Sequence, residues 1–355
     1  MAIIVFRGLL GDDEDHSVIG DILAVRQLGE ESKTSKFQLE PDESFESAIL
    51  GHSNLVLDQG PLTVAALGWN PPEGSLHFHL SLLSLGGDAV HTPANLPSPE
   101  EVKVIERQLA LLNTKNLTVL VGEGLDHALV REKRIEIRTA KPSEAVKNGL
   151  VASLPEGDSE NELRRFIDDS VNVLAEQEFN RRRIDNGVAP INLCWPWGQG
   201  ERQRIPNRAI ELGFPWMVRT NSLAMRGLAK LSGFQAEKLP VFSEIDLVGL
   251  GKTIQRDLRS LTIIDIGSCP ADDELREAFI VRIGELGGKL VGPLLDWQKE
   301  AKGNLGFVAT NRQGGGLLAR CAPQNERDHF PFDERSLTEK RVEWISLTHL
   351  LDLDI

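Results

Sequence analysis

An α/β protein, with a doubly wound, mostly parallel sheet and an inserted smaller α+β lobe, is predicted by three features of the chain. From Pro190 onward, short apolar runs alternate with glycine-containing loops and amphipathic stretches. That is the order which strand–helix–strand units leave in a sequence. The chain opens on an apolar, β-branched run, Ala2–Phe6, which meets a glycine turn at Gly8 and Gly11. A buried parallel strand feeding a loop has this pattern. Between the two regions, Gly86–Pro99 holds three prolines and two glycines and marks a loop and a domain crossing.

The elements follow in order. Val18, Ile22, Val25 and Leu28 have helical spacing after the first strand. Ser98 is an N-cap, Pro99 sits at the first helical position, and Glu100 and Glu101 favour the first turn of a helix to about Leu112. Thr118–Val121, Ala128–Arg131 and Arg134–Arg138 are short strands. A second amphipathic helix starts at Asp158 or Ser159 and passes Phe166, Val173 and Leu174 to about Phe179. Then come a strand at Ile191–Trp195, a short helix within Glu201–Leu212, a strand at Trp216–Thr220 and a helix at Ser222–Leu231. Leu261–Ile266 is a strand, Asp273–Gly284 a helix, and Leu305–Ala309 a last core strand. The expected division is a core of residues 1–85 and 186–355, with residues 86–185 as the inserted lobe.

Composition narrows the partners. A formal charge of −14 excludes nonspecific attraction to nucleic acid or anionic membrane. Three cysteines, Cys194, Cys269 and Cys321, show no C-x-x-C spacing, which fits a reducing compartment and supplies no zinc site. The opening apolar run is too short for a signal peptide, and acidic residues follow it at once. No window approaches the ~18 apolar residues of a membrane helix. The expected location is the cytoplasm.

The most specific pattern lies mid-chain: Asn180, Arg183, Gly187, Pro190, Asn192, Trp195, Trp197, Gly198, Gln199 and Gly200, followed by Arg226–Phe234. It continues in Leu50-Gly51, Gly60-Pro61-Leu62, Val291-Gly292-Pro293-Leu294-Leu295 and Phe332-Asp333-Glu334. Together these residues resemble the archaeal-type, cofactor-independent phosphoglycerate mutases of the alkaline-phosphatase superfamily. The resemblance implies an alkaline-phosphatase-like core, an inserted lobe that contributes substrate contacts, and metal-dependent phosphoryl transfer. Such transfer would use two cations held by carboxylates and imidazoles, and a hydroxyl nucleophile.

Position by position, the implied machinery is degenerate. Arg7 stands where the resemblance puts a ligand aspartate at the end of the first strand, and a guanidinium cannot bind a divalent cation. A gapless match places Asp42 at the nucleophile, with Ser44 two places on as the candidate hydroxyl and Ser47 further along. Asp246 and Lys252 fit an aspartate–lysine step. Asp265 replaces a histidine, Arg276 stands four places after Asp272, and Thr310-Asn311-Arg312 follows the strand that should end in Asp-His. Beyond Ala128 the only histidines are His329, next to Asp328, and His349 in an apolar run. His77-x-His79 has the spacing to put two imidazoles on one strand face as an alternative metal pair. The resemblance makes His79 a replacement for arginine.

Anion-binding residues are better kept. The candidate ligand-binding residues are Arg7, Asn180, Arg183, Asn192, Asp246 and Lys252, with backbone N–H groups from Gly198-Gln199-Gly200. Arg181-Arg182-Arg183 is equally a solvated helix end. Gly249-Leu250-Gly251-Lys252-Thr253 lacks the first glycine of a phosphate loop, since position 246 is Asp246. The expected role is binding of a small phosphorylated ligand or a protein partner, without metal or other cofactor. One alternative is an active mutase or phosphatase with a rebuilt site, holding manganese or zinc. The other is a structural subunit of a complex.

Overall fold

The computed structural model describes residues 2–7, 33–38, 44–52, 55–93, 95–212, 216–256, 261–268, 281–282, 285–301, 305–310 and 315–321. The helix expected over Val18–Leu28, most of the one over Asp273–Gly284, and Asp42, Asp272, Asn311, His329 and His349 lie outside them. The chain is a mixed α/β protein that divides into two compact units, Met1–Val56 with Pro206–Ile355, and Leu57–Ile205.

The first unit is built on a seven-stranded sheet of β1 (Ala2–Arg7), β2 (Lys33–Gln38), β10 (Trp216–Thr220), β11 (Gln235–Lys238), β12 (Leu261–Ser268), β13 (Leu305–Thr310) and β14 (Gly315–Cys321). Their order is β11-β10-β12-β1-β13-β14-β2. The first five are parallel, with β1 between β12 and β13, and β14 and β2 continue antiparallel. On the described residues, Ile4, Ile264 and Ile266 pack with Leu250 and Ile254 of the helix Leu247–Arg256 and with Leu294 and Leu295 of the helix Gly292–Ala301. Burying side chains of this size contributes roughly 1.5–3 kcal/mol each. The helix Leu223–Leu231 starts where the Ser222 hydroxyl accepts from the Met225 amide, and stops at Gly233, whose φ is +83°.

The second unit holds an antiparallel five-stranded sheet of β3 (Leu76–Gly86), β4 (Ala89–His91), β5 (Leu117–Glu123), β6 (Asp126–Arg131) and β9 (Leu193–Gly200). The order is β4-β3-β6-β5, with β9 also on β3. A short ladder, β7 (Ile137–Arg138) with β8 (Glu156–Gly157), accompanies it. Phe78, Leu80 and Leu82 alternate onto one face, where they meet Ile105 and Leu109 of the helix Pro99–Ala110 and Leu163 and Phe166 of the helix Glu160–Ala175. The first of these helices has the expected start. The Ser98 hydroxyl accepts from the Glu101 amide, and the Glu101 carboxylate accepts from the Ser98 amide. On the other face, Val64 of the helix Gln59–Ala66 packs with Leu120, Ala128 and Val130.

Several expectations are corrected. The unit boundaries fall at 56/57 and 205/206 instead of 85/86 and 185/186, because β3 and β9 pair with each other over Leu83↔Leu193 to His77↔Gly200. Residues assigned to the core thus form the central strand β3 and the edge strand β9 of the second sheet. W-P-W-G-Q-G is part of strand β9 and not a loop after it. Pro196 is tolerated there because, among the described residues, β9 pairs only with β3, so the missing N–H falls on an edge. The helix expected to run to Phe179 breaks after Ala175 and resumes at Glu178–Asp185. Arg134–Arg138 is strand only at Ile137–Arg138.

Candidate functional site

In the first unit, two positions that the resemblance assigns to chemistry, Arg7 and Asp265, lie on the neighbouring parallel strands β1 and β12. Arg7 is the last residue of β1, in register with Ser268 of β12. Asp265 lies in β12 opposite Val5 and Thr220. Its carboxylate is fully buried and accepts from the Thr220 hydroxyl at 2.7 Å, while the same Thr220 oxygen accepts from the Ser222 amide at 2.9 Å. Asp265 is therefore tied to the strand–helix junction that follows β10.

The other first-unit candidates are local caps or surface groups. Asp246 is exposed and accepts from the Gly249 amide at 3.0 Å, which starts the helix Leu247–Arg256. Lys252 is exposed on that helix. Ser44 is exposed, accepts from the Ser47 amide and donates to the Ser47 hydroxyl at 2.9 Å, capping the helix Phe45–Ile49. Its oxygen has no base beside it in these contacts.

The mid-chain signature is absorbed by the fold of the second unit. Asn180 is fully buried: its amide nitrogen donates to the Leu174 and Ile191 carbonyls, and its oxygen accepts from the Ile191 amide. Asn192 brackets Leu85 in the same way, accepting from its N–H at 2.7 Å and donating to its carbonyl at 3.1 Å. Arg183 spends its guanidinium on the Ala189 and Asn95 carbonyls and on Glu101 at 3.3 Å. Trp195 donates its indole N–H to the Ala140 carbonyl, and Gln199 bonds Ile137 and Thr139. Of the candidates, Asn180, Arg183 and Asn192 thus belong to one unit, and Arg7, Asp246 and Lys252 to the other.

The signature glycines are points of close approach. A Cβ on Gly198, whose φ is +62°, would lie 2.7 Å from Gln59 Cβ; one on Gly200 would lie 2.3 Å from Asp58 Oδ2, and one on Gly60 2.3 Å from the His77 carbonyl oxygen. In the first unit, Gly51 is covered by the Arg208 guanidinium and Gly233 by the Asn207 amide. Beside them His52 Nε2 lies 2.7 Å from the Ser232 hydroxyl. Burial first, and then Arg208, lower the His52 pKa. Burial raises that of Asp58.

His77 and His79 share a strand face but turn to different partners. His77 Nε2 lies 2.9 Å from the Ser75 hydroxyl, its Nδ1 has no partner, and burial followed by Arg202 holds its pKa down at about 4. His79 bonds Thr63 at 2.7 Å and Asp126 at 3.0 Å, with the Trp197 ring edge-on at a centroid distance of 5.1 Å. His127, which the sequence reading missed, accepts from the Gly122 amide and leaves Nε2 unpaired in a fully buried position. Burial is the main cause of its pKa near 4.

Among the described residues no three His, Cys, Asp or Glu side chains are grouped as a metal ion requires. The carboxylate that occupies an implied ligand position, Asp265, already accepts from a hydroxyl. Among those residues, also, no helix is long and apolar enough to cross a membrane.

Comparison with known proteins gives the relationship. No family model matches the sequence. A probable 2,3-bisphosphoglycerate-independent phosphoglycerate mutase of Geobacter sulfurreducens is 23% identical over 188 residues, 51% of this chain and 47% of that protein. The 2,3-bisphosphoglycerate-independent phosphoglycerate mutase of Methanosarcina barkeri is 26% identical over 164 residues, 44% of this chain and 41% of that protein. The matches thus span less than half the length of these curated relatives. Among solved structures, the PH0037 protein of Pyrococcus horikoshii superposes with a TM-score of 0.64 at 12% identity, over 90% of this chain and 87% of that one. The cofactor-independent phosphoglycerate mutase of Thermoplasma acidophilum gives 0.55 at 14% identity, over 99% and 98%. The chain is a distant relative of the cofactor-independent phosphoglycerate mutases.

Proposed function

We propose that this chain is a phosphoglycerate-mutase-like protein, on a doubly wound alkaline-phosphatase-like core, that binds a small phosphorylated ligand without metal-dependent phosphoryl transfer. The observation that carries the reading is Asp265. At the position of an implied imidazole ligand stands a buried carboxylate already bonded to Thr220. The ligand would lie at the carboxyl-terminal edge of the parallel strands, where α/β sheets place their binding crevices. Arg7, ending β1 at that edge, is the cation the reading assigns to it. A guanidinium suits a phosphate through its fork of donors. Asn180, Arg183 and Asn192 have no part in this reading, because their polar groups are taken up by the backbone and Glu101. The reading keeps the protein in the cytoplasm.

Calorimetric titration with 3-phosphoglycerate in chelator tests this. Saturable binding by the full chain, weakened at least ~10-fold by Arg7→Ala (about 1.4 kcal/mol), is the expected result. No binding heat with 3-phosphoglycerate or inorganic phosphate would remove the ligand-binding reading and favour a protein partner.

A further inference from the structure

The sheet of the second unit has two outer strands, β5 and β9, each of which pairs with a single neighbour among the described residues. An outer strand carries a row of N–H and C=O groups that another chain can pair with. On β9 the fold interrupts that row. The Cys194 amide donates to the Ser170 hydroxyl at 2.9 Å, and this hydroxyl donates to the Ile167 carbonyl of its own helix. Two places on, Pro196 has no N–H to offer.

Strand β5 has no such proline. Its run Leu117-Thr118-Val119-Leu120-Val121-Gly122 is uncharged and rich in residues that favour strands. Segments of this composition pair readily with copies of themselves. The turn between the helix Pro99–Ala110 and the strand closes this edge. The Thr114 amide donates to the Leu117 carbonyl at 2.9 Å, and the Thr114 hydroxyl accepts from the Leu117 amide at 3.1 Å. Asn113 reaches further along: its side-chain oxygen accepts from the Val119 amide at 2.7 Å. The amides of Leu117 and Val119 are thus bonded to side chains of the turn, where a neighbouring strand would otherwise offer carbonyls.

We infer that Asn113 guards the β5 edge, and that without its side-chain oxygen β5 pairs with β5 of a second copy of this chain. The Val119 side chain is buried in the core of the unit, so the strand stays in register when its amide is uncovered. An antiparallel β5–β5 pair is self-complementary, because both copies present the same run about a two-fold axis. No charged residue within Leu117–Gly122 opposes that pairing. Asn113 itself is exposed, so truncating it leaves the core intact.

The test joins amide exchange at Val119 with sedimentation velocity, on the full chain and its Asn113→Ala and Asn113→Asp variants. In the unsubstituted protein the Val119 amide should exchange slowly although no strand covers it. Exchange at the intrinsic rate overturns the inference, whether or not a variant folds. In dilute Asn113→Ala the Val119 amide should exchange ~10-fold faster, as expected for one lost hydrogen bond. Over about a hundredfold rise in concentration, a species of twice the parent's mass should then grow in. Asn113→Asp keeps an acceptor oxygen and should retain the slow amide and the parent's sedimentation. Adding Val121→Lys to Asn113→Ala places a charge on the strand and should weaken the association ~10-fold or more. A folded Asn113→Ala that sediments like the parent, or an association that Val121→Lys leaves unchanged, overturns the guarding role.

Discussion

The Asp265 carboxylate and the Thr220 hydroxyl form a fully buried hydrogen bond of 2.7 Å between neighbouring parallel strands, and the same hydroxyl oxygen receives the Ser222 amide. Thr220→Val keeps the shape but removes the donor to the carboxylate and the acceptor for the amide. A buried bond to a charged group is worth about 1.5–3 kcal/mol. The variant should lose stability of that order in urea denaturation. A loss under ~0.5 kcal/mol would show that the carboxylate does not depend on Thr220.

Asn180 makes three backbone hydrogen bonds, two as donor and one as acceptor, between the end of one helix and the approach to β9. At about 0.5–1.5 kcal/mol each, Asn180→Ala should cost roughly 2–4 kcal/mol. Asn180→Asp should cost more, since its carboxylate would face the Leu174 and Ile191 carbonyls that the amide nitrogen now satisfies. If Asn180 serves a ligand alone, both variants will denature like the parent.

Gly198 and Gly124 separate backbone strain from close approach. Their φ angles are +62° and +61°, but a Cβ on Gly124 meets nothing within 4 Å, whereas one on Gly198 meets Gln59 Cβ at 2.7 Å. Gly124→Ala should cost about 1–2 kcal/mol from the left-handed conformation alone. Gly198→Ala should cost a further ~1–3 kcal/mol for overpacking. Equal losses in thermal or urea unfolding would mean that the helix start gives way freely.

Burial sets the pH response at low pH. His77 and His127 have folded pKa values of about 4 against an ordinary 6.5, so the unfolded chain binds more protons between those limits. Their contribution is present above about pH 6.5 and lost as pH falls toward 4. At ~1.4 kcal/mol per pKa unit, each ring accounts for up to roughly 3 kcal/mol. The urea midpoint should fall across this window, and less steeply in His127→Leu. An unchanged slope in that variant would contradict a neutral, buried His127.

The sequence carried the parallel sheet through its apolar runs, and the helix at Pro99 through Ser98 and Glu101, because these signals are local. The path of β3 and β9 was not legible. Their pairing joins residues more than a hundred positions apart, and Trp195–Gly200 has the glycine content of a loop although edge pairing makes it a strand. The short polar strand Gln235–Lys238 is strand only because β10 lies beside it. Legibility was lower still at the site. Asn180, Arg183 and Asn192 stood out as polar residues in a signature, and one sequence cannot tell a ligand contact from a backbone clamp. Only the acceptors around each side chain decide that. Thr63, Asp126 and His127 had no motif to announce them, since their relation to His79 arises from three separate elements.

The most direct test of the central claim is ³¹P spectroscopy of 3-phosphoglycerate with the full chain and manganese. The account predicts a ligand resonance perturbed by binding and no 2-phosphoglycerate resonance above an enzyme-free control. Growth of the 2-phosphoglycerate signal in proportion to protein, at a turnover of even ~1 per second, would contradict it.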